Sequence, residues 1–175
     1  MLIQLASDMH LEFWGHDWRR PIAALRGGVA DVLLLPGDIF TWKTFTRDEI
    51  TEIFSRFSEK AKHVLYIEGN HEYYGSRAPD LHARIRDTDL GSSVHVLHDE
   101  VMEIEGWRFL GGTLWFPDRP EDRVQQRCIS DFSVIKDFTP WVYERYEASR
   151  DFLGREVRRE AKACPVGSWV HAHAL

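Results

Sequence analysis

The chain has 175 residues, with 43% hydrophobic residues, 13% aromatic residues and a formal net charge of −6 at pH 7. This length suits one domain with a substantial core and is short for two, so we expect a single domain over residues 1–175. The hydrophobic content excludes a disordered chain. The negative charge argues against broad nucleic-acid binding through phosphate neutralisation.

The sequence also predicts a cytoplasmic location. Its N-terminal apolar run is only MLIQLA, with no basic lead and no cleavage site of the kind that secretory leaders carry. No apolar stretch approaches the roughly 20 residues of a membrane span. Cys128 and Cys164 have neither metal-ligand spacing nor a disulfide framework, which favours free thiols in a reducing compartment.

The first 70 residues predict alternating strands and helix. Residues 2–6 predict a short buried strand. The continuous apolar run in VADVLLLPGD is typical of a strand covered on both faces, and HVLYIEGN predicts a third apolar strand. Before the third run, Thr46 and Glu49 have the spacing of a helix-capping box. Apolar residues follow them at helical spacing, at Ile50, Ile53, Phe54, Phe57 and Ala61. The order strand, helix, strand indicates an α/β layered core.

After residue 90 the pattern changes to short strands and one long helix. The segment VHVLHDEVMEIEGWRFLGGTLWF predicts two or three strands, with Glu105-Gly106 as a hairpin turn. The last helix is expected to begin near Pro140, with Thr139 as its cap. Its predicted inner stripe is Val142, Tyr146, Ser149, Leu153 and Val157.

Polar side chains follow the three apolar strands of the first half. Asp8 and His10 come after the first, Asp38 after the second, and Asn70 and His71 after the third. Ligands of open α/β sheets bind at the carboxyl ends of strands, so we expect these five side chains at one edge. Carboxylate, imidazole and amide ligands suit a divalent cation such as Mn, Fe, Zn or Ni better than Ca or Mg.

The spacing of these residues has a physical logic. Asp8 and His10 can bind one ion from a single extended segment. Asp38 follows a glycine, and its carboxylate could bridge two cations about 3.5–4 Å apart. Asn70 offers a neutral oxygen, and His71 could stay free as a proton donor. Taken singly, each of the five could instead have only a structural role, such as capping a turn.

The motifs SDMH, GD and GNHE, in this order, resemble those of the calcineurin-like metallophosphoesterase family, in its small bacterial phosphohydrolase branch. The resemblance covers about residues 1–160. It implies an α/β fold, a four-layer sandwich of two mixed sheets flanked by helices, with a site for two divalent metals at one edge. No P-loop and no G-x-S-x-G elbow occurs in the chain.

The resemblance also implies roles for individual residues. Asp8 and His10 would bind the first metal, Asp38 would bridge both metals, and Asn70 would bind the second. His71 would contact the substrate phosphate or protonate the leaving group. The implied reaction is hydrolysis of a small phosphomonoester or phosphodiester, with a metal-bound hydroxide as the nucleophile.

The sequence departs from the family pattern at its C-terminal end, because the G-H-x-H block is missing. The segment GSWVHAHAL fits two registers. In one, His173 or His171 is a ligand of the second metal, and we assign His173; in the other, the segment is a degraded form of the final block. A tail without any role in the site is the third reading.

The missing block has two implied consequences. The second sheet should be shortened, and a homodimer could cover its exposed edge. The alternative function is a catalytically impaired or dead metal-binding or scaffold relative of such an enzyme.

Outside the motifs, Asp131 could anchor a loop. His95 and His98, three apart on a predicted strand, are expected to face opposite sides, and surface positions are favoured for them.

Overall fold

The computed structural model describes residues 1–25, 29–119 and 126–163, with side chains described as far as residue 159. Its central element is a parallel sheet of four strands in the order β1-β2-β3-β4. The strands are β1 (Ile3–Leu5), β2 (Ala30–Pro36), β3 (Ala61–Ile67) and β4 (Val94–Val96). The three predicted apolar strands are therefore neighbours, and their carboxyl ends meet at one edge of the sheet.

Helices connect these strands and cover one face of the sheet. A 3₁₀ helix (Leu11–Asp17) is followed by α1 (Arg19–Ala24), α2 (Arg47–Ser58), α3 (Asn70–Tyr73), α4 (Ala78–Arg86), α5 (Asp131–Val134) and α6 (Phe138–Ala163). The predicted capping box of α2 is confirmed: the backbone N–H of Glu49 donates to Thr46 Oγ1 at 3.3 Å, and that of Thr46 donates to Glu49 Oε2 at 2.8 Å. The main core lies between the sheet and these helices, and it includes Trp18, Trp42 and Trp115.

Helix α6 begins where the sequence predicts and packs slightly differently. Thr139 is extended (φ −103°, ψ 141°), and regular helix follows from Pro140. Val142 and Ser149 of the predicted inner stripe are buried. The prediction that Val157 belongs to the inner stripe is wrong, because its side chain is 42% exposed. Phe152 is the last buried apolar residue among the described residues of the helix.

A second, antiparallel sheet consists of β5 (Glu100–Ile104) and β6 (Trp107–Gly111). The predicted hairpin turn is confirmed: Glu105 and Gly106 both have positive φ, at 50° and 80°, as tight two-residue hairpin turns require. A second apolar cluster lies between the two sheets, formed by Val32, Leu34, Leu65, Ile67, Leu97, Ile104 and Phe109. Two sheets packed face to face with helices outside give the expected α/β sandwich.

The prediction of a buried strand over residues 2–6 is wrong for one face of β1, the face that it shares with the second cluster. Ile3 and Leu5 are paired with Val32 and Leu34, yet their exposed fractions are 36% and 61%. The predicted homodimer that covers a sheet edge stays a prediction. Across the described ranges, no helix is long and apolar enough to cross a membrane.

Candidate metal centre

The loops that follow β1 and β2 run side by side. The backbone N–H of Asp8 donates to the carbonyl oxygen of Gly37 at 3.3 Å, and that of His10 donates to the carbonyl oxygen of Asp38 at 3.1 Å. These bonds continue the pairing of the parallel strands beyond their ends. The first two motifs therefore form one continuous rim.

The backbone at this rim adopts an uncommon conformation. Asp8, His10 and Asp38 have positive φ values of 53°, 44° and 55°. Such values are rare for residues other than glycine, and they cost free energy that the surrounding structure must offset. Residues of this kind cluster at functional sites, because strain is retained where it places a side chain for a task. Three predicted metal ligands in this conformation support a functional rim.

The side chains on the rim converge. Asp8, His10 and Asp38 each offer one ligand atom, and these atoms lie within 4.8 Å of one another. Asp8 is exposed, His10 is partly buried and Asp38 is buried, so the group is open on one side. Burial raises the pKa of Asp38. A bound cation would favour the ionised carboxylate and offset this cost.

The third motif approaches the rim closely through Gly69. A Cβ atom on Gly69 would lie 2.3 Å from Asp38 Oδ1 and 2.6 Å from its backbone nitrogen. Asp38 Oδ1 also accepts a hydrogen bond of 3.0 Å from the backbone N–H of His71. The glycine of G-N-H-E is therefore required because a side chain would occupy the place of the Asp38 carboxylate.

Glu72 links the second and third motifs through hydrogen bonds made on their buried side. Its buried carboxylate accepts hydrogen bonds from the backbone N–H groups of Asp38 (2.9 Å), Ile39 (2.8 Å) and Gly69 (2.7 Å). Burial, and then the charge of Asp38, raise the pKa of Glu72 to about 8. Glu72 thus fixes the backbone that carries Asp38, a role that the sequence analysis did not predict although Glu72 belongs to the G-N-H-E motif.

The amide of Asn70 has a fixed orientation. Its Nδ2 donates to Asp131 Oδ1 at 2.8 Å and to the Tyr74 hydroxyl at 3.1 Å. A carboxylate only accepts hydrogen bonds, so the amide nitrogen must face Asp131. Asn70 Oδ1 is buried and has no hydrogen-bond partner in the described structure. An unpartnered buried oxygen is costly, which fits an oxygen reserved for a cation.

His71 has contacts on several sides. Its Nδ1 lies 3.1 Å from Glu12 Oε1, and its ring stacks on Tyr74 with centroids 4.2 Å apart. The ring of His10 packs against it edge-on at 4.3 Å. Because Glu12 also accepts hydrogen bonds from the N–H and hydroxyl of Thr41, its carboxylate is held in place and orients the imidazole of His71.

The structure therefore brings five sequence-predicted site residues to one place: Asp8, His10, Asp38, Asn70 and His71. His173 and His171 lie outside the described residues, so the assignment of His173 stays a prediction. Sequence reasoning missed Glu12, which adjoins the first motif, and Glu72. The sequence predicts Asp131 only as a loop anchor, whereas in the structure its carboxylate accepts hydrogen bonds from Asn70 and Tyr74.

The fold and this cluster define a phosphoesterase-type α/β sandwich, and comparison with known proteins agrees. The sequence profile of the calcineurin-like phosphoesterase family matches residues 1–174. The chain belongs to this family.

The proteins similar to the chain include one curated protein and one of known crystal structure. It is 24% identical over 149 residues to the uncharacterised protein L509 of Acanthamoeba polyphaga mimivirus, covering 77% of this chain and 52% of that protein. The crystal structure of the phosphopantetheinyl hydrolase PptH from Mycobacterium tuberculosis superposes with a TM-score of 0.60 at 17% identity, covering 88% of this chain and 63% of that one. The chain thus spans about half of the first relative's length and under two thirds of the second's.

Proposed function

We propose that the chain hydrolyses a small phosphomonoester or phosphodiester with two divalent cations bound at the rim. The observation that carries this proposal is Asn70, whose oxygen is buried without a partner beside a carboxylate and imidazole cluster at the strand ends. Asp131 and Tyr74 accept hydrogen bonds from the Asn70 nitrogen and so keep its oxygen without a partner. A cation bound to that oxygen would offset the cost of burying it unpaired.

The residues present fit this pair of cations. Asp8 and His10 would hold the first cation, Asp38 would bridge both, and Asn70 would bind the second, with His173 as a further proposed ligand. The donor set favours Mn, Fe, Zn or Ni. Bound cations of this kind neutralise phosphoryl oxygens and lower the pKa of a coordinated water.

The remaining roles belong to side chains next to the cations. His71 would contact the substrate phosphate or protonate the leaving group, since Glu12 binds Nδ1 and leaves Nε2 for the substrate. Glu12 acts as a positioning residue for this ring. Glu72 and Gly69 hold the Asp38 backbone and carboxylate where the bridge is needed.

The proposal is tested by hydrolysis of nitrophenyl phosphate and bis-nitrophenyl phosphate by metal-depleted protein supplied with Mn²⁺ or Ni²⁺. We expect turnover that depends on the metal and is abolished in Asp38→Ala. Asp80→Ala is the matched control, because Asp80 is an exposed carboxylate in the first turn of α4 and has no role in the proposed site. Its activity should equal that of the unaltered protein.

The result that overturns this proposal is equally specific. A folded protein that binds cations but hydrolyses neither ester with Mn²⁺ or Ni²⁺ would support a catalytically dead relative. Equal activity in Asp38→Ala and Asp80→Ala would show that the observed hydrolysis does not arise at this rim.

A further inference from the structure

The function proposed above assigns no role to a second group of potential metal ligands, which shares no residue with the group at the rim. It consists of Glu68, which follows β3, His82 on α4, and His98, which lies between β4 and β5. The three residues come from different parts of the chain and meet next to the carboxyl end of β3. Their ligand atoms lie within 4.8 Å of one another.

The carboxylate of Glu68 is the inner part of this group. Its side chain is 2% exposed, whereas those of His82 and His98 are 26% and 33% exposed. Glu68 Oε2 has no hydrogen-bond partner in the described structure, and His98 Nδ1 lies 3.6 Å from it. Glu68 Oε1 lies 4.0 Å from His82 Nε2. Both separations are too long for hydrogen bonds, so Glu68 Oε2 is a buried carboxylate oxygen without a donor among the described residues.

We propose that Glu68, His82 and His98 bind one divalent cation of the zinc type, at a site distinct from the rim. Two imidazoles and one carboxylate form a donor set that zinc accepts, with water in the remaining position. Small side-chain rotations would bring the three ligand atoms to the roughly 2.0–2.2 Å that zinc requires. The partly exposed histidines give the cation a path from solvent.

The groups around the three residues favour this reading over a simple ion pair. Burial is the main cause that lowers the pKa of His82, and the nearby ring of His98 lowers it further. A neutral imidazole does not neutralise Glu68, but it is the form that binds metal. The hydroxyl of Tyr73 lies 3.0 Å from His82 Nε2, the same nitrogen that faces Glu68, so Tyr73 must give up this contact when a cation binds there.

The position of the site gives it a consequence for the rim. Glu68 directly precedes Gly69 and Asn70, and its carbonyl oxygen accepts a hydrogen bond from the Thr113 hydroxyl. A cation on the Glu68 side chain would therefore hold the strand end from which the Asn70 ligand extends. The site would support the metal centre without touching the substrate.

The experiment measures zinc bound per full-length chain after chelation and re-addition of Zn²⁺, together with the histidine ring signals in NMR spectra. The variants are Glu68→Gln and His98→Asn. His95→Asn is the matched control, because His95 also faces another histidine, His63, at 3.4 Å, but no carboxylate of the described residues forms a ligand group with that pair. Asp38→Asn removes a ligand of the rim and serves as the background for a second pair of measurements.

We expect Glu68→Gln and His98→Asn to lose one equivalent of zinc, or to bind it at least about 10-fold more weakly, while His95→Asn matches the unaltered chain. In the Asp38→Asn background, one equivalent should remain and should be lost on adding His98→Asn. This last result is independent of hydrolysis, so the site can stand even where the proposed function fails.

Two results would overturn the site. One is equal zinc content and affinity in Glu68→Gln, His98→Asn and His95→Asn. The other is measured on the unaltered chain and therefore holds even if a variant fails to fold. If the NMR ring signals of His82 and His98 do not move when Zn²⁺ is added, zinc does not bind at these residues.

Discussion

Asp131 orients Asn70: its Oδ1 accepts a hydrogen bond of 2.8 Å from Asn70 Nδ2, and the amide oxygen of Asn70 is thereby turned away without a partner. The two residues are 61 positions apart in the sequence. Asp131 also accepts a hydrogen bond from the Tyr74 hydroxyl at 2.9 Å, so its carboxylate is itself fixed. Partners that orient a metal ligand in this way contribute to affinity although they never touch the metal.

Asp131→Asn is therefore expected to weaken metal binding at the rim by about 10- to 100-fold. The new amide can donate to Asn70, which would allow the Asn70 amide to flip and withdraw its oxygen. Titration of metal-depleted protein with Mn²⁺, followed through activity, measures the effect. Asp137→Asn is the matched control, because Asp137 is exposed and pairs only with Arg77 among the described residues. Identical metal dependence in both variants would contradict the role of Asp131.

Gly69 leads to a second prediction. In Gly69→Ala the new methyl group would meet Asp38 Oδ1 at 2.3 Å and the Asp38 backbone at 2.6 Å, so the loop must move. We expect a loss of about 1–3 kcal/mol in the free energy of unfolding, as for other overpacked sites, and loss of metal-dependent hydrolysis. Urea denaturation and the nitrophenyl ester assay measure the two effects.

Gly154→Ala is the control for this substitution. Gly154 lies within α6, and its new Cβ would meet nothing closer than the flexible end of Arg158 at 3.4 Å. Replacing a glycine inside a helix by alanine should stabilise the protein by up to about 1 kcal/mol. If both alanine variants shift stability in the same direction, the close approach at Gly69 is not what constrains that position.

The parts of the site that the sequence predicts are those that depend on chain order alone. Parallel neighbouring strands deliver their ends to one edge, so Asp8, Asp38 and Asn70 could be placed together without knowing any contact. Glu72 and Asp131 act across 34 and 61 positions through hydrogen bonds, and no periodicity encodes such pairs. His98 lies beyond β4, which ends at Val96, and its approach to Glu68 is likewise a contact that no spacing encodes.

Glu12 and His71 give a third prediction, which separates positioning from direct action. His71→Asn should lower kcat by about 10²–10⁴-fold if the ring transfers a proton. Glu12→Gln should lower kcat less and leave KM nearly unchanged, because it loosens the ring but removes no group from the substrate. His16→Asn is the control, as His16 is exposed on the 3₁₀ helix. A Glu12→Gln variant with raised KM and unchanged kcat would contradict the positioning role.

The buried carboxylate of Glu72 gives the last prediction, a pH dependence of stability in the metal-free protein. The pKa of Glu72 is about 8 in the folded state and lies above the ordinary value of 4.5. Between these two pH values the folded chain keeps the proton on Glu72, whereas the unfolded chain has released it. Unfolding then releases a proton, and rising pH favours it. The contribution is complete below about pH 4.5 and is lost as the pH rises through about 8.

Each proton released in this way lowers the free energy of unfolding by about 1.4 kcal/mol per pH unit. Asp38, whose pKa burial also raises, acts in the same direction. Urea denaturation of metal-free protein between about pH 6 and pH 8 should therefore show falling stability. Glu72→Gln should flatten this slope, even though the amide disturbs the backbone hydrogen bonds and lowers stability overall. Glu59→Gln, at an exposed position after α2, should leave the slope unchanged, and equal slopes in the two glutamine variants would refute the assignment to Glu72.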